Sequence, residues 1–316
     1  MLFICHSVYH IFVSCLKTLH DKVNADILIT DNVPDAGYYQ KQLEESGIFQ
    51  NVHIVRHHEV FGRKTKSSYH LALFYQLLRR KFVKHTLGYL CEYDDVYIYN
   101  DYTAIGAFLW IHKCPVHLLE DGYSVYSTYN MYARRRRNMP MKKFFYYVFN
   151  IPYTLAQAPN CIDIEVDNDM ALMTPLIMPI RVQSRHELAN KLSAEDQKRI
   201  LCTFNIQIDT SVGKKALLLT TPLVEAYMAK TFEEQVDFFH NAILHYQQEY
   251  HLYIKPHPRD NADYSTLLSE RVSLIDKKFP IEILSFVPEV RFDIVLTHSS
   301  TATNGLTFCD RIVNIR

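Results

Sequence analysis

The feature that most constrains this chain is the rhythm of its opening residues. Short apolar runs alternate with amphipathic stretches: Leu2–Cys5, Val8–Leu19, Ala25–Thr30, Tyr38–Ser46 and Val52–Val55. That is a βαβαβ pattern, which calls for a mainly parallel sheet with helices on its faces. Further strands are expected at Asp95–Tyr99 and Val116–Leu119. The first lobe is therefore read as α/β.

A second unit of the same kind follows. Ser193-Ala-Glu-Asp196 fits a capping box loosely, with Asp where Glu or Gln is usual, and opens a helix to about Phe204. After the polar connector Asp209–Lys215 come a strand at Ala216–Thr220, a helix around Glu233–Tyr246, and strands at Leu252–Lys255 and Asp293–Thr297. At 316 residues the chain exceeds one domain of about 100 to 200 residues. Two lobes are expected, residues 1–190 and 191–316, with no internal repeat. Two such lobes describe a GT-B arrangement, in which ligands sit in a cleft beyond the carboxyl ends of the strands.

Composition removes several function classes. With eight glycines there is no GxGxxG and no Walker A loop, so a nicotinamide enzyme or a P-loop ATPase is not expected. Lys plus Arg (34) balance Asp plus Glu (34), so no global field draws in nucleic acid. The seven cysteines are scattered and never spaced CxxC, which indicates neither a zinc site nor a disulfide framework and fits a reducing cytoplasm. Met1–Leu16 is apolar but lacks a basic leader and a small-residue cleavage site, so it reads as a strand rather than a signal. No stretch approaches the roughly 20 apolar residues of a membrane span, so a soluble or peripheral protein is expected.

Three motifs carry candidate chemistry, each just past a predicted strand. Leu118-Leu119-Glu120-Asp121-Gly122 ends in two carboxylates and a glycine that permits a tight turn, so an acid can face the crevice as a general base. The plain alternative is a solvated turn capped by Asp. Leu252-Tyr-Ile-Lys255-Pro256-His257-Pro258-Arg259 holds a histidine between two prolines, which suits a side chain kept in place to donate to a leaving phosphate. X-Pro steps also mark ordinary turns. Asp293-Ile-Val-Leu-Thr297-His298-Ser299-Ser300-Thr301 runs from a strand into hydroxyl residues at a predicted helix start, an anion site or a simple N-cap.

Together the three resemble the signatures of bacterial sialyltransferases: an acidic pair before Gly, a His-Pro pair, and a Ser-Ser/Thr pair. The closest likeness is to the lipooligosaccharide and capsule branch, glycosyltransferase family 52. The opening Phe3-Ile-Cys-His-Ser-Val-Tyr-His10 is also similar to that family's first strand and helix. The resemblance implies a GT-B enzyme with an acceptor-side first lobe and a donor-side second lobe. It implies Asp121, beside Glu120, as base, and His257 as the residue on the nucleotide phosphate. It also implies Gly122, Lys255, Pro258, Ser299, Ser300 and Thr301 as residues that bind the nucleotide donor, the last three through its phosphate. Glu282, in Phe279-Pro-Ile-Glu282-Ile-Leu, would accept hydrogen bonds from the ribose. In some members the base lies after the first strand of the second lobe; here that loop reads Thr220-Thr221-Pro222-Leu223-Val224-Glu225, so Glu225 rivals Asp121.

The implied reaction is an inverting transfer of sialic acid from CMP-sialic acid to a glycan hydroxyl, with no metal or other cofactor. Asp167-Asn-Asp169 has DxD spacing but no clear strand before it. Arg134, Arg135, Arg136 and Arg137, followed by Lys142, Lys143 and the aromatic run Phe144–Phe149, suit either an anionic membrane surface or a solvated loop. The alternatives are a CDP-glycerol- or CDP-ribitol-type polyol-phosphate transferase, a hexosyltransferase of the same fold, and an inactive nucleotide- or carbohydrate-binding module.

Overall fold

A computed structural model of the chain describes residues 1–61, 76, 78–121, 158–167, 178–206, 213–287, 290–298 and 306–315. The chain divides into two units, Met1–Thr203 and Phe204–Arg316.

In the first unit the described strands are β1 (Leu2–Cys5), β2 (Asp26–Thr30), β3 (Val52–Val55), β4 (Val96–Ile98), β5 (Val116–Leu119), β6 (Cys161–Val166) and β7 (Ile180–Val182). They pair in the order β3-β2-β1-β4-β5-β6-β7, every pair parallel. The described helices are α1 (Val8–Asp21), α2 (Ala36–Ser46), α3 (His57–Phe61), α4 (Arg80–Leu87), α5 (Ala104–Ile111), α6 (Arg185–Lys191) and α7 (Ala194–Thr203). Every residue of β1 and β2 is buried, as befits central strands covered on both faces. The strand order reverses direction between β1 and β4, which makes the carboxyl ends of those two strands the expected ligand position.

The break falls after Thr203 rather than at the expected residue 190. Helices α6 and α7 pack on α1 and α2 of the first unit. Arg199 on α7 also donates to the carbonyls of Ser46 and Gly47 (3.3 and 2.9 Å), capping the end of α2, where Gly47 takes a left-handed φ of 61°. The loosely matched capping box is present: the Asp196 amide donates to Ser193 Oγ (3.1 Å), and that hydroxyl donates to the Asp196 carboxylate (2.7 Å).

The second unit holds β8 (Lys215–Leu219), β9 (His251–Lys255), β10 (Val272–Leu274), β11 (Phe292–Thr297) and β12 (Cys309–Asn314), in the order β10-β9-β8-β11-β12 and again all parallel. Its long helix α8 (Phe232–Tyr246) starts at Thr231, whose hydroxyl accepts from the Glu234 amide (3.2 Å), with Glu233 and Glu234 at the positive end of the helix dipole. The core gathers Leu218, Phe239, Leu252, Ile254, Tyr264 and Leu296. Here the reversal lies between β8 and β11. The chain is thus α/β with two Rossmann-like units, as the opening rhythm predicted.

One expectation is corrected. Cys91, in the turn after α4, and Cys114, just before β5, form a disulfide with Cα atoms 5.3 Å apart. Scattered spacing says nothing about two loops that the sheet brings together at its amino end. No helix of the described residues is long and apolar enough to cross a membrane.

Candidate active site

The two strand-order reversals locate the candidate residues. In the first unit, β1 runs out into His6 and Ser7, and β4 into Tyr99 and Asn100. Ser7 caps α1 by accepting from the His10 amide (3.2 Å), which turns His10 back over the carboxyl end of the sheet. The turn after β4 is equally determined. Asn100 Oδ1 accepts from the Tyr102 amide (2.9 Å), Thr103 caps α5 through the Gly106 amide (3.0 Å), and a Cβ at Gly106 would lie 2.1 Å from the Asp101 carbonyl oxygen. Only glycine lets α5 approach that turn so closely.

Both oxygens of Asp121, just past β5, are held there. His10 Nε2 lies 2.7 Å from Oδ1, and Asn100 Nδ2 donates to Oδ2 at 3.1 Å. Burial alone would push the Asp121 carboxyl up, but the neighbouring His10 and the hydrogen bonds from His10 and Asn100 hold it below its ordinary value. It is an ionised acceptor, and 27% of its side chain stays exposed, so a hydroxyl from solvent can reach it. Glu120 has a different task. It is buried, and its Oε2 accepts from the Asp167 amide (2.6 Å), while Asp167 accepts from the Arg185 amide (2.6 Å). The acidic pair thus divides, Glu120 tying the chain after β6 to β5 and Asp121 facing His10.

Other histidines crowd this end. His6 Nδ1 meets Thr30 Oγ1 (3.0 Å), and its ring lies 6.1 Å from that of His57, which pairs with Asp31 (2.7 Å). Burial, reinforced by His10 and His57, pushes His6 down to about 3, so it is neutral. Beneath, Lys17 Nζ reaches both oxygens of Glu165 (3.0 and 2.8 Å) and Gln183 (3.1 Å), and Arg185 binds the same carboxylate at 2.5 Å. All three charges are buried. Burial would push the Glu165 carboxyl up, but the two cations hold it below its ordinary value.

In the second unit the His-Pro turn leaves β9 beside the end of β8. Burial pushes His257 down to about 4, with Arg259 and Lys255 adding to the effect. Its Nδ1 accepts from the Arg259 amide (3.1 Å), so the single ring proton sits on Nε2. His257 is a neutral hydrogen-bond donor, where the sequence suggested a ready acid. Its backbone amide donates to Thr220 Oγ1 (3.3 Å), and Thr220 donates to Asp260 Oδ2 (2.6 Å). Asp260, fully buried, also accepts from Gln235 (2.9 Å), Tyr264 (2.8 Å) and the Ala262 amide (2.9 Å). This carboxylate ties together the turn, the end of β8 and α8.

Lys255 ends β9 buried, its Nζ 4.6 Å from the centre of the Phe279 ring and 3.3 Å from the Pro256 carbonyl. Burial lowers it to about 7, against the pull of Asp276 and Glu282. Burial also raises Glu282 to about 7, against its own backbone hydrogen bond and Lys255. Glu225 is exposed and accepts from Asn261 (3.3 Å). Pro258 is partly buried in the turn.

Gly122, Ser299, Ser300, Thr301, Arg134–Arg137, Lys142, Lys143, Phe144–Phe149 and Asp169 lie outside the described residues. Among the described residues no three or more of His, Cys, Asp and Glu gather as metal ligands. His10, Asn100, Thr220 and Asp260 were not singled out for chemistry in the sequence. The parallel topology brings His10 and Asn100 to Asp121 and Thr220 to His257, whereas Asp260 lies three residues past His257 in the same turn, its amide donating to the His257 carbonyl (2.8 Å).

Comparison with known proteins agrees with this architecture. The sequence profile of glycosyltransferase family 52 matches residues 23–316. An uncharacterized protein of Haemophilus influenzae is 29% identical over 252 residues, which cover 77% of this chain and 72% of that one. Among solved structures, UDP-GlcNAc 2-epimerase from Neisseria meningitidis, bound to UDP-GlcNAc, aligns with a TM-score of 0.55 at 15% identity, covering 95% of this chain and 78% of the other. The alpha/beta-galactoside alpha-2,3-sialyltransferase of Photobacterium phosphoreum aligns with a TM-score of 0.54 at 11% identity, covering 99% and 89%. At such identities the likeness is one of fold.

Proposed function

The chain belongs to glycosyltransferase family 52, and on that premise we propose that it moves sialic acid from CMP-sialic acid to a hydroxyl of lipooligosaccharide or capsule by one inverting displacement. The reading is supported by the three motifs at strand ends and by the fold shared with the Photobacterium sialyltransferase. The observation that carries it is Asp121, an ionised carboxylate open to solvent and held through both oxygens at the strand-order reversal of its sheet.

In this reading the first unit serves the acceptor and the second the donor. The acceptor hydroxyl gives its proton to Asp121, and its oxygen attacks the anomeric carbon. The bond from that carbon to the phosphate oxygen breaks, and cytidine monophosphate leaves with the electron pair. His257 donates a hydrogen bond from Nε2–H to the departing phosphate, which leaves as the anion. Ser299, Ser300 and Thr301 add hydroxyl donors, Lys255 adds charge, and Glu282 accepts from the ribose. A donor aimed at charge that develops in the transition state contributes about 2.7 to 4 kcal/mol. The scheme calls on no metal. Glu225 is the second candidate base; Asp121 is favoured because both its oxygens are held, at 2.7 and 3.1 Å, where Glu225 accepts from Asn261 at 3.3 Å.

The enzyme works on the cytoplasmic side, with Arg134–Arg137 against anionic lipid. Sedimentation with phosphatidylserine vesicles should drop when the four arginines become alanine.

Incubation with CMP-sialic acid, CDP-glycerol or CDP-ribitol, each with lipooligosaccharide as acceptor, tests the donor. Free CMP should appear only from the sialyl donor. Release from a polyol donor alone would make the chain a polyol-phosphate transferase, and release from none would favour a binding module.

A further inference from the structure

We propose that His10 is the positioning residue for Asp121: it orients the carboxylate toward the acceptor hydroxyl without touching substrate itself. The proposal rests on the reading of Asp121 as base. Its geometry is a chain of three fixed points. The His6 backbone amide donates to His10 Nδ1 (3.0 Å), so Nδ1 carries a lone pair and the ring proton lies on Nε2. That proton faces Asp121 Oδ1 at 2.7 Å, the distance of a charge-assisted hydrogen bond. The imidazole itself cannot turn. It is 1% exposed and lies flat on the Tyr99 ring, centroids 4.1 Å apart and planes 6° apart. The Tyr99 hydroxyl is fixed in turn by Ser14 (2.9 Å), which donates to the His10 carbonyl one turn earlier on α1 (2.8 Å).

This arrangement excludes two other roles. His10 cannot take the acceptor proton, because Nδ1 is occupied by a backbone amide and Nε2 already bears hydrogen. Nor is it filler, because an apolar side chain of the same volume would leave the His6 amide and one Asp121 oxygen without these bonds. Asn100, with its own Oδ1 pinned by the Tyr102 amide, fixes the other oxygen, so the carboxylate plane is set at two points. Holding the carboxylate at two points matters because displacement of a reacting group by about 1 Å costs about 100-fold in rate.

The groups around Asp121 determine what its titration reports. His10 comes from α1, Asn100 and Tyr99 from the turn after β4, and His6 from the end of β1. His57 on α3 faces His6 and is paired with Asp31 after β2, Tyr9 flanks His10, and Glu120 on the same strand end binds the Asp167 amide. His6 remains neutral throughout the working range. The donors from His10 and Asn100 are therefore what oppose burial of the carboxylate.

Two conservative variants separate positioning from bulk. Asn at position 10 reaches only where Nδ1 was, keeping the His6 amide bonded and losing Asp121. Gln places its amide where Nε2 was, keeping Asp121. Rates of CMP release from CMP-sialic acid with lipooligosaccharide are measured from pH 4 to 8 for wild type, His10→Asn, His10→Gln and Asp121→Asn, alongside thermal melts. His10→Asn should lower kcat about 100-fold, with KM for the donor unchanged and the acid limb of the rate profile moved to higher pH, since burial then acts on a carboxylate short of one donor. His10→Gln should recover most of the rate and the wild-type limb. Equal rates and superposed limbs for the two variants overturn the proposal. An Asp121→Asn enzyme as fast as wild type would instead overturn the reading of Asp121 as base. An inactive Asp121→Asn with both His10 variants unimpaired sinks only the role of His10.

Discussion

Asp260 offers the most quantitative test of how the second unit holds its candidate residues. It accepts four hydrogen bonds: from Thr220 and Tyr264 hydroxyls on Oδ2 (2.6 and 2.8 Å), and from Gln235 Nε2 and the Ala262 amide on Oδ1 (both 2.9 Å). In Asp260→Ala the two hydroxyls can rotate toward other acceptors, but the Ala262 amide and the Gln235 amide group are fixed. Each buried donor left without a partner costs about 1 to 3 kcal/mol, so the variant should lose about 2 to 6 kcal/mol. Asp260→Asn behaves differently. Its oxygen can stay on the two fixed donors while its NH2 turns to the hydroxyls, which become acceptors. Charge-assisted bonds then become neutral ones, a loss of about 1 to 3 kcal/mol. A whole domain is stable by only about 5 to 15 kcal/mol. The alanine variant should therefore melt well below the asparagine variant, which should melt below wild type. Thermal denaturation followed by circular dichroism, with urea midpoints at 25 °C as a second measure, reads this order. If Asp260→Ala melts with wild type, the carboxylate does not bind the turn, β8 and α8 together.

His257→Ala should lower turnover about 100-fold or more, as loss of a positioned hydrogen-bond donor to developing charge does; near-normal CMP release would exclude a role at the phosphate. Both His257 and His6 are neutral when folded, depressed to about 4 and about 3, whereas an unfolded histidine titrates near 6.5. The unfolded chain thus binds more protons as pH falls below about 6.5, and the contribution of each imidazole, full above that pH, is lost on the way down. The melting temperature should fall from pH 6.5 toward 4, and a His6→Gln, His257→Gln double variant should show a flatter profile; an unchanged slope would mean the rings are not buried neutral. Glu165→Gln leaves Lys17 and Arg185 as uncompensated buried cations and should cost about 3 to 5 kcal/mol in urea unfolding. A loss under 1 kcal/mol would show that those charges are solvated.

Much of this molecule could be read from its residues, for identifiable reasons. Central parallel strands buried on both faces must be short apolar runs, so β1, β2, β8 and β9 stand out, and β11 ends where Asp293–Thr297 predicted. The strands that escaped notice, β6, β7, β10 and β12, are short, polar or at the sheet margins. All of β7 is exposed, and β6 carries Asp163 and Glu165, whose charges are answered by His117, Lys17, Arg181 and Arg185 from elsewhere in the fold. An acid in a strand looks like a loop until its partners are known. The candidate site divides in the same way. Asp121 and His257 are legible because glycine or proline beside a strand end announces a shaped turn. The residues that hold them are separated from them by long stretches of chain or sit in plain helix, as His10 and Gln235 do. The protonation of His257 was also hidden, since only the fold buries it beside Arg259 and Lys255.

The central claim is that a carboxylate of the first unit activates the acceptor for transfer of sialic acid. Side-by-side mass spectrometry of the glycan product made by Asp121→Asn and Glu225→Gln from CMP-sialic acid addresses it most directly. The account predicts that the first variant loses about 100- to 10,000-fold in transfer, the range of a general base, while the second works near the wild-type rate. Transfer that survives in the first and vanishes in the second would contradict it.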